Sequence, residues 1–188
     1  MGTARMAPQQ ASLPPELQAY LDRNARLGVD PLVLFTTVGR SARAWNKFSA
    51  GSMLDRASPL TLRDRELVID RTSARTGCEY EWGVHILFFA EKVALSREEV
   101  AGTLAYPLER ARWSEREADL LTVVDALHDR STLSDGEFDA LARHYSEEQI
   151  LEIIQLVAFY HQVAFIANGL ALPLEPKAAR FADYLGQI

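Results

Sequence analysis

Residues 65–85 read Arg65-Glu66-Leu67-Val68-Ile69-Asp70-Arg71-Thr72-Ser73-Ala74-Arg75-Thr76-Gly77-Cys78-Glu79-Tyr80-Glu81-Trp82-Gly83-Val84-His85. Gly77 divides the stretch, because glycine enters the left-handed conformation that closes a helix at no steric cost. The helix carrying Glu66 is expected to stop there and another to start at once, folding the chain back as a helical hairpin. In a helix that begins around Cys78, Glu81 and His85 lie three and seven residues on. At about 100° per residue, all three fall within roughly 60° of arc. A thiol, a carboxylate and an imidazole then share one ridge, and Glu66 is placed to reach them across the turn.

Working outward, helix punctuation dominates. Ser at a cap with Glu or Gln three residues later satisfies two orphan backbone donors reciprocally. Ser96/Glu99, Ser114/Glu117, Ser134/Glu137 and Ser146/Gln149 all have this form. Each precedes an apolar stripe at helical spacing, such as Leu120, Val123, Val124 and Leu127. Val and Ile fall inside helical patterns, and no strand signal competes. The spacing predicts about eight helices, near 15–27, 31–50, 62–76, 79–93, 97–104, 115–129, 135–144 and 147–170. Pro31 is expected in a first helical turn, where its missing N–H costs little. The fold class is all-α: a flexible tail over 1–12 and one helical domain over 13–188. The segment from Pro173 to Ile188 reads as an arm that packs on something, a neighbouring subunit being one option.

The 188 residues suffice for one domain that buries roughly 70% of the unfolded chain's surface. There are 20 Lys+Arg against 26 Asp+Glu, a net charge of −6, which argues against a nucleic-acid footprint or an anionic membrane surface. The apolar run Ile150–Leu172 is broken by Glu152, Gln155, His161, Gln162 and Asn168, so it is expected as a buried or interface helix and not a membrane span. Its inward stripe is read as Ile150, Ile154, Val157 and Ala164, with His161 as an interior, hydrogen-bonded histidine. His128 and His144, near helix C-terminal ends, are assigned no chemistry. The leader lacks the apolar core of a signal peptide, and a cytoplasmic location is expected.

Cys78 is the single cysteine, which excludes an internal disulfide. Alone, it reads as a small buried hydrophobe. Beside Glu81 and His85 the reading changes, because an i, i+4 carboxylate–imidazole pair can pass a proton and a helix N-terminus favours a thiolate. Cys, Glu and His are also metal ligands. Zinc sites of this kind lean on more His or Cys, so no metal and no other cofactor is expected.

At these residues the sequence resembles the carboxymuconolactone decarboxylase-like family, which includes alkylhydroperoxidase D. The family's peroxidase branch shows Glu, eleven residues, then C-x-x-C-x-x-x-H. Here Glu66 is followed by eleven residues and Cys78-x-x-Glu81-x-x-x-His85, so Glu81 stands where the second cysteine would be. Leu156-Val157-Ala158-Phe159-Tyr160 with Asn168 is similar to the family's last long helix. The resemblance implies an all-helical fold that assembles into homo-oligomers, commonly trimers or hexamers, with a dimer as a further option. Peroxidase members attack peroxide with the second cysteine, resolve with the first, and relay protons through Glu and His.

Three functions follow as expectations. The first is a thiol-dependent peroxidase working through Cys78 with Glu66, Glu81 and His85; a sulfenic acid there has no thiol partner in its own chain, so an external thiol, or Cys78 of another subunit, must reduce it. The second is a lyase on a small lactone acid, with His85 as acid/base, Glu81 orienting it or sharing the proton, and Cys78 merely polarising or packing. The third is a non-catalytic oligomeric binding protein on the same scaffold.

Overall fold

All four serine boxes start helices, and each serine side chain and its partner make the two expected backbone hydrogen bonds. The computed structural model describes residues 4–9 and 12–187. Among these the order is α1 (Pro15–Ala25), α2 (Val33–Val38), α3 (Ala42–Ala50), α4 (Leu62–Arg75), α5 (Glu79–Phe89), α6 (Arg97–Leu104), α7 (Glu115–Arg130), α8 (Asp135–Ala142) and α9 (Glu147–Gly169), with short 3-10 turns and no strand. The fold is all-α, with nine helices among the described residues where about eight were expected.

The extra helix comes from the segment expected to be continuous over 31–50. The chain turns at Gly39–Ser41, and Ser41 caps α3 by accepting from Ala44 N–H. A local cap there outweighs the apolar periodicity that runs through the segment. Pro31 lies before α2, whose N-cap is Leu32, and not within its first turn. Regular helix in α5 ends at Phe89 and not near 93; residues 90–93 form a looser turn closed by Ala94 at φ 52°.

The Gly77 turn forms as expected. Gly77 has φ +61°, Cys78 N–H donates to Ser73 O (2.8 Å), and Gly77 N–H donates to Ala74 O (3.0 Å), which is the Schellman closure. Cys78 becomes the N-cap of α5, so α4 and α5 form a hairpin.

Helix α4 is the axis of the molecule, packed by α5, α6, α7 and α9. Ten of its fourteen residues are buried, several of them charged, so its polar groups must find partners inside. Arg71, fully buried, grips Asp125 of α7 with two hydrogen bonds of 2.7 and 2.6 Å. It also donates to the Thr103 and Ala105 carbonyls, at the C-terminal end of α6. One guanidinium thus joins three helices and satisfies carbonyls a helix end leaves orphaned.

Helix α9 is long and apolar enough to cross a bilayer by length and composition alone. Here it packs against α4, α5, α7 and α8. Its inner face is Ile153, Leu156, Tyr160, Val163 and Ala167, while Ile154, expected to point inward, is 37% exposed. His161 is half-buried and bonds Val157 O and the His128 ring.

The C-terminal arm packs on its own chain. Ala179 N–H donates to Gly83 O, Phe181 N–H to Glu79 Oε1, and the Phe181 and Tyr184 rings lie 5.1 and 5.4 Å from Trp82. Gly83 permits this: a Cβ there would sit 2.3 Å from Ala179 O. Of the segment expected to be a tail, Met1, Gly2, Thr3, Gln10 and Ala11 lie outside the described residues. Arg5 and Gln9 donate backbone hydrogen bonds to Leu170 O and Thr36 O.

Candidate active site

Three elements converge beside the hairpin. Helix α4 supplies Glu66, α5 supplies Glu81 and His85, and α9 supplies Tyr160. His85 Nδ1 lies 2.7 Å from Glu66 Oε2, with both side chains almost wholly buried. Its Nε2 is 3.3 Å from Glu81 Oε1 and 3.2 Å from Tyr160 Oη. The imidazole is stacked on the Phe89 ring, 5.4 Å between centroids, and met edge-on by Tyr160. A ring in this clamp has no freedom to turn.

Burial alone would strip the proton from His85. The Glu66 charge and hydrogen bond, joined by the Glu81 hydrogen bond and charge, outweigh it and push the imidazole up to about 10. Asp70, one turn after Glu66 on α4, moves the other way in charge. It is fully buried, its Oδ1 has no hydrogen-bond partner among the described residues, and burial together with the Glu66 charge raises its carboxyl well above the usual range, against the pull of His85.

Glu81, His85 and Tyr160 form one end of a cavity of about 260 Å³. Its walls are rings, those of Tyr20, Phe35, Phe48, Phe88, Phe89 and Phe159, and its exposed polar lining includes Asp30 and Lys92. An apolar cavity with a few convergent polar groups is the form of a small-molecule site.

Cys78 has a different situation. It is 0% exposed and packed in the main hydrophobic core, and the cavity is not lined by it. Burial pushes its thiol up to about 12, although the Glu81 and Tyr80 amides at the start of α5 favour the thiolate. The structure therefore joins Glu66, Glu81 and His85, while Cys78 lies in the core near Glu81 and does not line the cavity.

Tyr160 was not singled out by sequence as a site residue. The available signal was an aromatic with a polar tip in an apolar helix, a residue that looks for a hydrogen-bond partner when buried. Among the described residues, histidine and carboxylate ligand atoms gather within 4.8 Å at Glu115, Asp119 and His144, outside the cavity. Asp119 there is already bound by Arg110 at 2.7 Å.

With this geometry in view, the relatives can be placed. Residues 40–126 match the sequence model of the carboxymuconolactone decarboxylase family. That match spans 87 of the 188 residues, so it is the segment from α3 to most of α7 that is similar to this family. The whole chain shares its fold with several solved structures. One is a peroxidase-related protein of Ralstonia eutropha JMP134 with an alkylhydroperoxidase AhpD core: TM-score 0.75, 20% identity, covering 94% of this chain and 95% of that one. A peroxidase-related protein of Silicibacter sp. TM1040 has TM-score 0.74 and 21% identity, covering 100% and 96%. A cysteine-to-alanine variant of the debrominase Bmp8, in complex with 2,3,4-tribromopyrrole, has TM-score 0.74 and 22% identity, covering 94% of each. No curated protein sequence matches the chain significantly.

Proposed function

We propose that the protein is an acid–base enzyme acting on a small unsaturated ring compound. His85 is the proton donor, Glu81 shares and steers that proton, and Glu66 holds the imidazole charged. The observation that carries this reading is that His85 and Glu81 line the cavity and Cys78 does not. At neutral pH an imidazolium pushed up to about 10 keeps its proton until a stronger base arrives, such as the enolate left by a decarboxylation or formed in an isomerisation. Tyr160, within hydrogen-bond reach of the same Nε2, adds a second O–H to the developing charge. The debrominase relative holds a small planar ring, and a cavity walled by rings suits such a compound.

The competing reading is the thiol peroxidase expected from the motif. The Tyr80 and Glu81 amides at Cys78 favour it. Against it, a thiol at about 12 is ionised in only about one molecule in 10⁵ at pH 7. The same protein preparation separates the two. Wild type, Cys78→Ser and His85→Gln are assayed for CO2 release from a small lactone acid and for peroxide consumption with excess small thiol. Lyase activity that survives Cys78→Ser and falls about 10²-fold or more in His85→Gln supports the acid–base reading. Peroxide turnover that disappears in Cys78→Ser, with no His85-dependent lyase activity, would replace it.

A further inference from the structure

The inner end of the cavity has hydrogen-bonding capacity that the protein leaves unused. Glu81 is 7% exposed and lines the cavity; Oε1 faces His85 and Oε2 has no hydrogen-bond partner among the described residues. The terminal torsion of a glutamate is broad, so either oxygen can turn to meet a ligand. Tyr160 is 1% exposed, and its oxygen lies 3.2 Å from His85 Nε2. With His85 protonated, Nε2 carries one hydrogen between Glu81 Oε1 and the Tyr160 oxygen and cannot accept from the phenol, so the phenolic O–H is left over as a donor. One spare acceptor and one spare donor meet at the closed end of a ring-walled space.

The chemistry of the group that fits is narrow. A hydroxyl serves both neighbours, donating to Glu81 and accepting from Tyr160. A carboxylate pointed inward would satisfy Tyr160 but set a second negative charge against Glu81 away from water, where like charges repel strongly. The acidic group of any acid bound here must instead point outward, toward the exposed Lys92. An ether or a methyl group leaves a buried carboxylate oxygen unpaired, at a full desolvation cost. The volume of about 260 Å³ lies under the roughly 300–1,000 Å³ usual for drug-sized ligands, so a compact, single-ring compound suits it.

We propose that the cavity binds single-ring aromatic hydroxyl compounds in their neutral form, with the hydroxyl inward between Glu81 and Tyr160 and the ring among Phe48, Phe88, Phe89 and Phe159. The proposal rests on the reading of this cavity as the reaction site and names the class of ligand it takes.

The test uses 4-nitrophenol, whose anion is yellow and whose neutral form is almost colourless. At a pH near the reagent's own midpoint, excess full-length protein bleaches the solution as the neutral form is taken up. Glu81→Leu weakens this by about tenfold or more, the scale of a hydrogen bond to a charged group. Tyr160→Phe, which removes one oxygen and keeps the packing, weakens it severalfold. The donorless analogue 4-nitroanisole and benzoate compete at least tenfold less well than 4-nitrophenol. No bleaching, a deepening yellow, or equal competition by 4-nitroanisole overturns the proposal; Tyr160→Phe keeps the test decisive if Glu81→Leu does not fold. Binding is read without turnover, so its failure leaves the His85-dependent lyase result standing, and loss of that lyase result leaves the binding result standing.

Discussion

At the scale of single residues, His85 and Cys78 exchange the importance the sequence suggests for them. The motif spacing places both on one ridge, and Glu66, Glu81 and His85 do meet. What decides the rest is burial, which the spacing does not encode: Cys78 caps α5 facing the core, and Tyr160 reaches His85 only because α9 crosses behind α5. Two outcomes follow at this scale. In the native protein Cys78 resists alkylation by iodoacetamide at pH 7.5 and reacts at the rate of a free thiol once denatured; native reactivity equal to that rate contradicts its placement. His85 rises from the ordinary 6.5 to about 10 on folding, so its contribution to stability is complete below about 6.5 and is lost as pH rises through about 10. Urea unfolding midpoints of wild type fall between pH 7 and 10 more steeply than those of His85→Gln, and parallel slopes would refute the coupling.

At the scale of elements, the signals that were legible are local ones. The four serine boxes and the Gly77 closure are written in adjacent residues, and all five form. The turn at Gly39–Ser41 was also written locally, in the Ser41 cap, but it is masked by apolar periodicity running through it. Gly83 was unreadable for the opposite reason, since it lies mid-helix and its cause is the arm ninety-six residues on. Gly83→Ala forces Ala179 away, costing about 1–3 kcal/mol and freeing the arm from Trp82. Thermal melting and Trp fluorescence check this: an unshifted melt with unchanged emission contradicts the close approach. Arg71→Met removes both its hydrogen bonds to Asp125, which keeps only the Arg75 pair at 3.2 Å, and strands the carbonyls at the end of α6; denaturant titration should show a loss of about 3 kcal/mol.

At the scale of the whole molecule, α9 buries one face and shows another. Leu151 is 62% exposed and Phe165 72%, with Ile154 and Ala158 between them on the outward side. These spacings form a single apolar seam of the kind a second helix covers. Sedimentation at micromolar concentration is expected to show an oligomer that Leu151→Glu with Phe165→Glu reduces to monomers; a monomeric wild type contradicts this. The cavity depends on α5 and α9 and on the loops after α1 and α3, so it is a property of the folded bundle and no short motif encodes it. In the proposed function a charged imidazole, clamped by two carboxylates, is the working group. A nitrogen-15 NMR titration of the ring, assigned by the signals lost in His85→Gln, tests that directly. The predicted result is an imidazolium with both nitrogens protonated at pH 7.5, titrating near 10; a neutral ring at pH 7.5 with a midpoint near 6.5 would contradict it.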